Sequence, residues 1–316
     1  MATLICGSLA YDNIMTFEGR FREHILPEQI HILNVSFLVP TMRREFGGCA
    51  GNIAYSLNLL GGAPRIMATL GEVDAQLYLD RLARLGIPAS YVRVLPQTYS
   101  AQCMITTDLD NNQITAFHPG AMMESHQNHV SDASDITLGI VAPDGAQGMR
   151  EHCEQFAAAG IPFVFDPGQG LPLFDGAALR RMIELARYVA VNDYEAKLLE
   201  NKTGWSIVNM LEHVEAVVVT LGENGAEIHH RDGIEKIPPV AAERVVDPTG
   251  CGDAFRGGLL HGIEQGWDWG TTGRLASLLG SLKIAHHGPQ NYLPTRAEIE
   301  QKFEQAFGYR LPSSGD

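Results

Sequence analysis

"VVDPTGCGDAFRGGLL" (residues 245–260) carries two β-branched residues into a proline turn, sets a cysteine between two glycines, and opens an apolar run with an aspartate at its mouth. The pattern reads as strand, turn and helix, the unit from which parallel α/β sheets are built. With the helix starting near Asp253, Gly250, Cys251 and Gly252 fall at its N-terminus. Backbone N–H groups there have no intrahelical acceptor and sit at the positive end of the helix dipole, so the turn favours an anion.

Working outward, the same rhythm recurs. "TLICGS" (3–8), "ITLGIVA" (136–142), "PFVFDP" (162–167), "YVAVND" (188–193) and "AVVVTLG" (216–222) are apolar runs ending in polar or turn residues, as buried parallel strands do. Between them lie helical stretches such as "GNIAYSLNLLGG", "LYLDRLARLG", "MREHCEQFAAAG", "ALRRMIELAR" and "YEAKLLENKTG", several closed by a glycine. This predicts a doubly wound, mostly parallel sheet covered by helices on both faces. Residues 100–119, "SAQCMITTDLDNNQITAFHP", break the rhythm as two strands about a polar turn. "NIMTFEGRF" and "HILNVSFLV" are also strand-like with no helix between them, which predicts a small β-appendage built from residues 13–45 and 98–120.

Composition narrows the function. The net charge of −14 excludes a nucleic-acid partner held by clustered cations. Five scattered cysteines, with no C-x-x-C pair, suggest neither a disulfide framework nor a zinc site and predict a reducing cytoplasm. No apolar run reaches membrane-spanning length, and the N-terminus reads as a strand. His126, His129 and the two His-His pairs lack ligand-spaced partners and read as surface residues, and Trp267 and Trp269 as helix packing.

Several motifs compete for the anion turn. A Walker loop needs a Lys-Ser/Thr pair after its last glycine, which is missing, and a dinucleotide fingerprint needs a third glycine where Phe255 stands. A phosphoryl-transfer loop fits: Asp253 takes a proton from a substrate hydroxyl while Gly250, Cys251 and Gly252 hold the migrating group by their amides. From these residues alone, Asp253 as a simple helix cap remains an equal reading. "FGGCAGNIAYSLNLLGG" (46–62) favours the first, since its glycines let a ligand approach the backbone beside Asn52, whose amide both donates and accepts. Asp12, expected at the end of the first strand, adds a polar group suited to a ribose diol.

"GGCAGNIA" (47–54), followed by Gly61 and Gly71, and "DPTGCGDAF" (247–255) together resemble the paired signatures of the ribokinase (PfkB) superfamily of carbohydrate and nucleoside kinases, in order and over nearly the whole chain. "NVSFLV", "ITAFHPGAM", "VNDYE" and "KTGWS" look most similar to its bacterial adenosine kinase and nucleoside kinase branch. The resemblance implies one kinase unit over residues 1–316, its β-sheet lid matching the appendage. It implies transfer of the γ-phosphoryl group of ATP, with Mg²⁺, to the 5′-hydroxyl of a nucleoside: adenosine first, with inosine, guanosine or cytidine admitted. Free ribose is the alternative substrate. In that scheme Asp253 is the catalytic base and Gly250, Cys251 and Gly252 the anion hole. Ser8, Asp12, Ser36, Gly48, Asn52, Phe117 and Gln169 contact the nucleoside, with Phe117 as aromatic platform. Asn192 and Glu195 serve the magnesium-bearing phosphates through water, while Thr220, Gly222, Gly225, Ala285 and Gly288 line the ATP groove. Asp247 and Asn291 bind a monovalent cation, K⁺ in the resemblance, and a lid edge pairs with a second copy. Two departures carry consequences: Cys251, where a smaller residue is usual, makes a thiol exposed beside ATP, and Gln102 stands on the lid where an aromatic would stack on the base.

Overall fold

The structure is a computed structural model that describes residues 2–25, 32, 34–110 and 112–312. In chain order its elements are β1 (Ala2–Cys6), β2 (Ala10–Thr16), β3 (Thr41–Gly47), α1 (Cys49–Leu59), β4 (Pro64–Gly71), α2 (Ala75–Leu85), β5 (Tyr91–Leu95), β6 (Ala101–Thr107), β7 (Gln113–His118) and β8 (Ile136–Val141). There follow α3 (Ala146–Ala158), β9 (Phe163–Phe165), α4 (Gly176–Leu185), β10 (Tyr188–Asn192), α5 (Asp193–Thr203), α6 (Ile207–Met210), β11 (Ala216–Thr220), β12 (Ala226–His230), β13 (Gly233–Ile237), α7 (Cys251–Glu264), α8 (Trp269–Ile284) and α9 (Arg296–Phe307).

Nine strands form the main sheet in the order β13-β12-β11-β10-β9-β8-β1-β4-β5. Pairing is parallel from β5 through β11, and β12 and β13 add an antiparallel edge. Strand alternation explains the two cores. Ile5, Ala216 and Val218 point toward α1, α2 and α7, while Leu4, Cys6, Val217 and Val219 point toward α3, α4 and α5. Because both faces are covered, the strands read as unbroken apolar runs. β1 lies between β4 and β8, so strand order reverses there, and the crevice beyond the carboxyl ends of β1 and β8 is where such a sheet takes its ligand. Gly7, Ser8 and Pro143 stand at that crevice. No described helix is long and apolar enough to cross a membrane.

The separate four-stranded sheet, ordered β3-β2-β6-β7, is the predicted β-appendage. Two details differ from expectation. The described residues 34–39 of "HILNVSFLV" form no strand. Phe37 instead packs on Phe17, Phe21 and His24, so the aromatic content serves a side-chain cluster rather than a ladder. One edge strand is β3, "TMRREFG"; its charged residues hid the strand pattern while suiting an edge. Near the other motif, Val245 and Val246 form no strand: the amides of Val246 and Asp247 both donate to the carbonyl of Ile284 at the end of α8.

Candidate active site

The start of α7 shapes the centre. Its N-cap is Gly250 at φ +79°, where a side chain would be strained and would meet Pro289 at 2.5 Å. Of the three amides expected to hold an anion, that of Cys251 donates to the Pro248 carbonyl at 3.1 Å, closing the turn. Among the described residues the amides of Gly250, Gly252 and Asp253 have no protein acceptor. They face a cleft of about 650 Å³ also lined by Cys49, Pro143, Asp166, Gly168, Gln169, Asn192, Glu195, Thr220 and Arg256.

Asp253 lies in the first turn of α7 with its carboxylate on that cleft. Burial pushes it up to about 6, with Asp166 adding to the rise, while the hydrogen bond from Asn52 and the charge of Arg256 hold it down. Asn52 Nδ2 donates to Asp253 Oδ2 at 2.8 Å. The amide is oriented from behind: buried Gln290 donates through Nε2 to Asn52 Oδ1 at 3.1 Å and to the Tyr78 hydroxyl at 2.9 Å, and that hydroxyl donates to the Gly47 carbonyl at 2.7 Å. Asn52, expected as a sugar ligand, thus orients the Asp253 carboxylate, and the relay ends on β3 of the small sheet.

One turn further along α7, Arg256 makes a bidentate pair with Asp166 at 3.1 and 3.0 Å, both side chains buried. Sequence reading missed this pair and Gln290. Arg256, three residues after Asp253 on a helix, was the available signal, since that spacing puts it on the same face.

Asn192 and Glu195 form a capping box at the head of α5: Asn192 Oδ1 accepts from the Glu195 amide at 2.7 Å, and Glu195 Oε2 from the Asn192 amide at 2.8 Å. Burial raises the Glu195 carboxyl above its usual range. Thr220 and Gly222 line both this cleft and an adjoining, mainly apolar groove of about 670 Å³ that runs past Gly225, Val245, Cys251, Ser281 and Ile284. Cys251, expected as a thiol exposed beside the nucleotide, is half-buried, and burial lifts it to about 11.

Other expected residues sit as follows. Ser8 Oγ accepts from the Cys49 amide at 3.2 Å, capping α1, and Gly48 at φ +86° packs against the backbone of Ser8, Leu9 and Ala10. Asp12 is central in β2, not at the end of β1; burial, then Asp247 and Glu45, raise it to about 6. Register places Asp12, Cys103 and exposed Phe117 on one face of the lid. Gln102, expected on that face, lies on the opposite one, buried and donating to Asp74 at 2.7 Å. Ser36 is exposed in coil before β3. Ala285 and Asn291 line an adjoining hollow of about 840 Å³, which shares Pro239, Val240, Ala241 and Ser281 with the Thr220 groove. Gly288 donates to Asp247 Oδ2 at 2.9 Å, and Asn291 Nδ2 to lid residue Glu45 at 2.6 Å.

A glycine-cleared helix start beside a carboxylate, at the switch point of a doubly wound sheet carrying a small second sheet, defines the ribokinase-like class of kinase folds. The chain belongs to the pfkB family of carbohydrate kinases, whose family model matches residues 14–296. It is similar to the nucleoside kinase of Burkholderia thailandensis. The structure of that protein in complex with inosine is 72% identical, covers 98% of this chain and 99% of its own, and superposes with a TM-score of 0.89. Its complex with ADP-inosine is 73% identical, covering 100% and 99%, with a TM-score of 0.88. A nucleoside kinase of Methanocaldococcus jannaschii is 30% identical over 273 residues, 86% of this chain and 90% of that one.

Proposed function

We propose that the protein is an ATP- and Mg²⁺-dependent nucleoside 5′-kinase that accepts adenosine and inosine. The observation that carries this reading is Asp253: a carboxylate oriented by Asn52 one residue past amides that have no protein acceptor. The relative whose structure is in complex with inosine supports a nucleoside rather than a free sugar as acceptor.

Asp253 takes the proton of the 5′-hydroxyl as that oxygen bonds to the γ-phosphorus. The bond from the γ-phosphorus to the β–γ bridging oxygen breaks, and ADP leaves. The amides of Gly250, Gly252 and Asp253 stabilise the charge spread over the transferring group, as preorganised donors do. Arg256, held by Asp166, adds positive charge beneath it. Thr220 and Gly222 guide the nucleotide from the phosphate cleft into the apolar groove, which takes the adenine.

Glu195 and Asn192 fit a hydrated divalent ion: both line the cleft, and their capping box leaves Glu195 a half-buried carboxylate there. When bound, the ion neutralises nucleotide phosphate charge. The small sheet acts as a lid within a single kinase unit, with Asp12 and Gly48 toward the ribose and Phe117 stacking on the base. Its exposed outer face, with Met42, Met104 and Ile114, suits pairing with a second copy.

A panel of adenosine, inosine, guanosine, cytidine and ribose, assayed with ATP and Mg²⁺, tests the substrate. Adenosine and inosine should outperform ribose in kcat/KM, and a preference for ribose overturns the reading. Asp253→Asn should lower kcat by at least ~10²-fold, and near-normal turnover in that variant removes Asp253 as the base.

A further inference from the structure

The loop that feeds the anion turn holds an unusual cation. Lys283, in the last turn of α8, has no exposed surface. Its Nζ donates to the backbone carbonyl of Asp247 at 2.6 Å and to that of His286 at 3.2 Å. Burial pulls its pKa down, and the charges of Asp247 and Glu45 hold it up. A lysine at a helix C-terminus also meets the negative end of the dipole.

These contacts fall where the family resemblance places a monovalent cation. The groups expected to bind one are already committed: the Asp247 carbonyl to Lys283, Asp247 Oδ1 to the Thr249 amide at 2.9 Å, and Asp247 Oδ2 to the Gly288 amide at 2.9 Å. Asn291 presents its amide nitrogen, a donor, to Glu45 and to the His287 carbonyl. All three Asp247 oxygens thus already accept a donor from the chain itself.

We propose that the Lys283 ammonium takes the place of the monovalent cation, linking the Asp247 and His286 carbonyls and setting the turn that presents Gly250 and Gly252. An ammonium and a potassium ion carry the same charge at similar radius, so one can satisfy carbonyls arranged for the other. Lys283 touches no substrate and is a positioning residue. The inference rests on the nucleotide-binding reading above, and it makes the enzyme independent of K⁺.

The test measures melting temperature and, by calorimetry, ADP affinity in KCl, NaCl and choline chloride at equal ionic strength. For the wild type both should agree within twofold in affinity and within error in melting, and a severalfold K⁺-specific gain in affinity or a K⁺-specific rise in melting overturns the proposal. Lys283→Ala should bind ADP about tenfold more weakly in choline, the worth of one charge-assisted hydrogen bond. Ammonium or potassium should restore much of that loss and choline none. A soluble Lys283→Ala protein with unchanged ADP affinity, or a loss that neither ion restores, overturns it. Should that variant not fold, the wild-type salt comparison decides alone. If ADP binds without regard to K⁺ but no nucleoside is phosphorylated, the substrate reading fails while the role of Lys283 stands.

Discussion

At the scale of single residues, the geometry turns on Asn52. Its amide is one of the forces holding the Asp253 carboxyl down against burial. Removing it should therefore raise the acid. Asn52→Ala is expected to shift the acid limb of the kcat–pH profile upward from about 6 by about one unit, the equivalent of one ordinary hydrogen bond. A limb that stays in place would show that the side chain does not tune the base. The sequence made Asn52 and Asp253 visible separately, as polar groups at glycine-rich helix starts. It did not show that they bond each other across 201 positions, nor that Gln290 orients the pair. Contacts of that kind depend on how α1 and α7 cross, which no local pattern records. Lys283 was equally hidden, because a lysine in a helical run ordinarily reads as a solvated side chain.

Elements were legible where their periodicity was set by burial. β1, β8, β10 and β11 lie inside the main sheet, and their apolar runs announced them. β3 did not, since "TMRREFG" is an edge strand dense in charged residues, and β12 and β13 form a half-exposed hairpin whose alternation is mixed with His, Glu and Lys. The turn into α7 was legible for a different reason. A glycine pair around one residue before a helix has few uses other than a tight approach, and Gly250 at φ +79° against Pro289 confirms that requirement. Gly250→Ala should both strain the backbone and push the turn from Pro289. We expect a loss of ~1–3 kcal/mol in stability together with a fall in kcat larger than any rise in the KM for nucleoside. Thermal melting and steady-state kinetics check the two parts. A variant that melts lower but turns over normally would place the strain outside the catalytic turn.

For the molecule as a whole, buried acids couple folding to pH in a direction opposite to activity. Asp144 is buried after β8, and desolvation pushes its carboxyl up to about 8 against a hydrogen bond from the Gly145 amide. Asp12 and Asp253 are raised to about 6. A carboxyl whose folded pKa lies above its unfolded value contributes stability that is full below the unfolded pKa and is lost as pH rises through the folded one. Between pH 8 and 6.5 the native state therefore gains protons the unfolded chain does not. Lowering pH through that window should raise the melting temperature by a few degrees, corresponding to ~1–2 kcal/mol. Below it, His261, which burial holds neutral down to about 4, and His152, also lowered by burial, oppose further gain because the unfolded chain protonates first. The proposed catalysis runs the other way: in it Asp253 must be ionised to accept the 5′-hydroxyl proton, so turnover should fall as pH drops through about 6. Asp144→Asn separates the two trends. That variant should melt higher than wild type at pH 8 and lose the rise between pH 8 and 6.5, while the acid limb of turnover, set by Asp253, stays in place. A wild-type melting temperature that falls steadily from pH 8 to 6.5 would show that the Asp144 carboxyl is ionised in the folded protein.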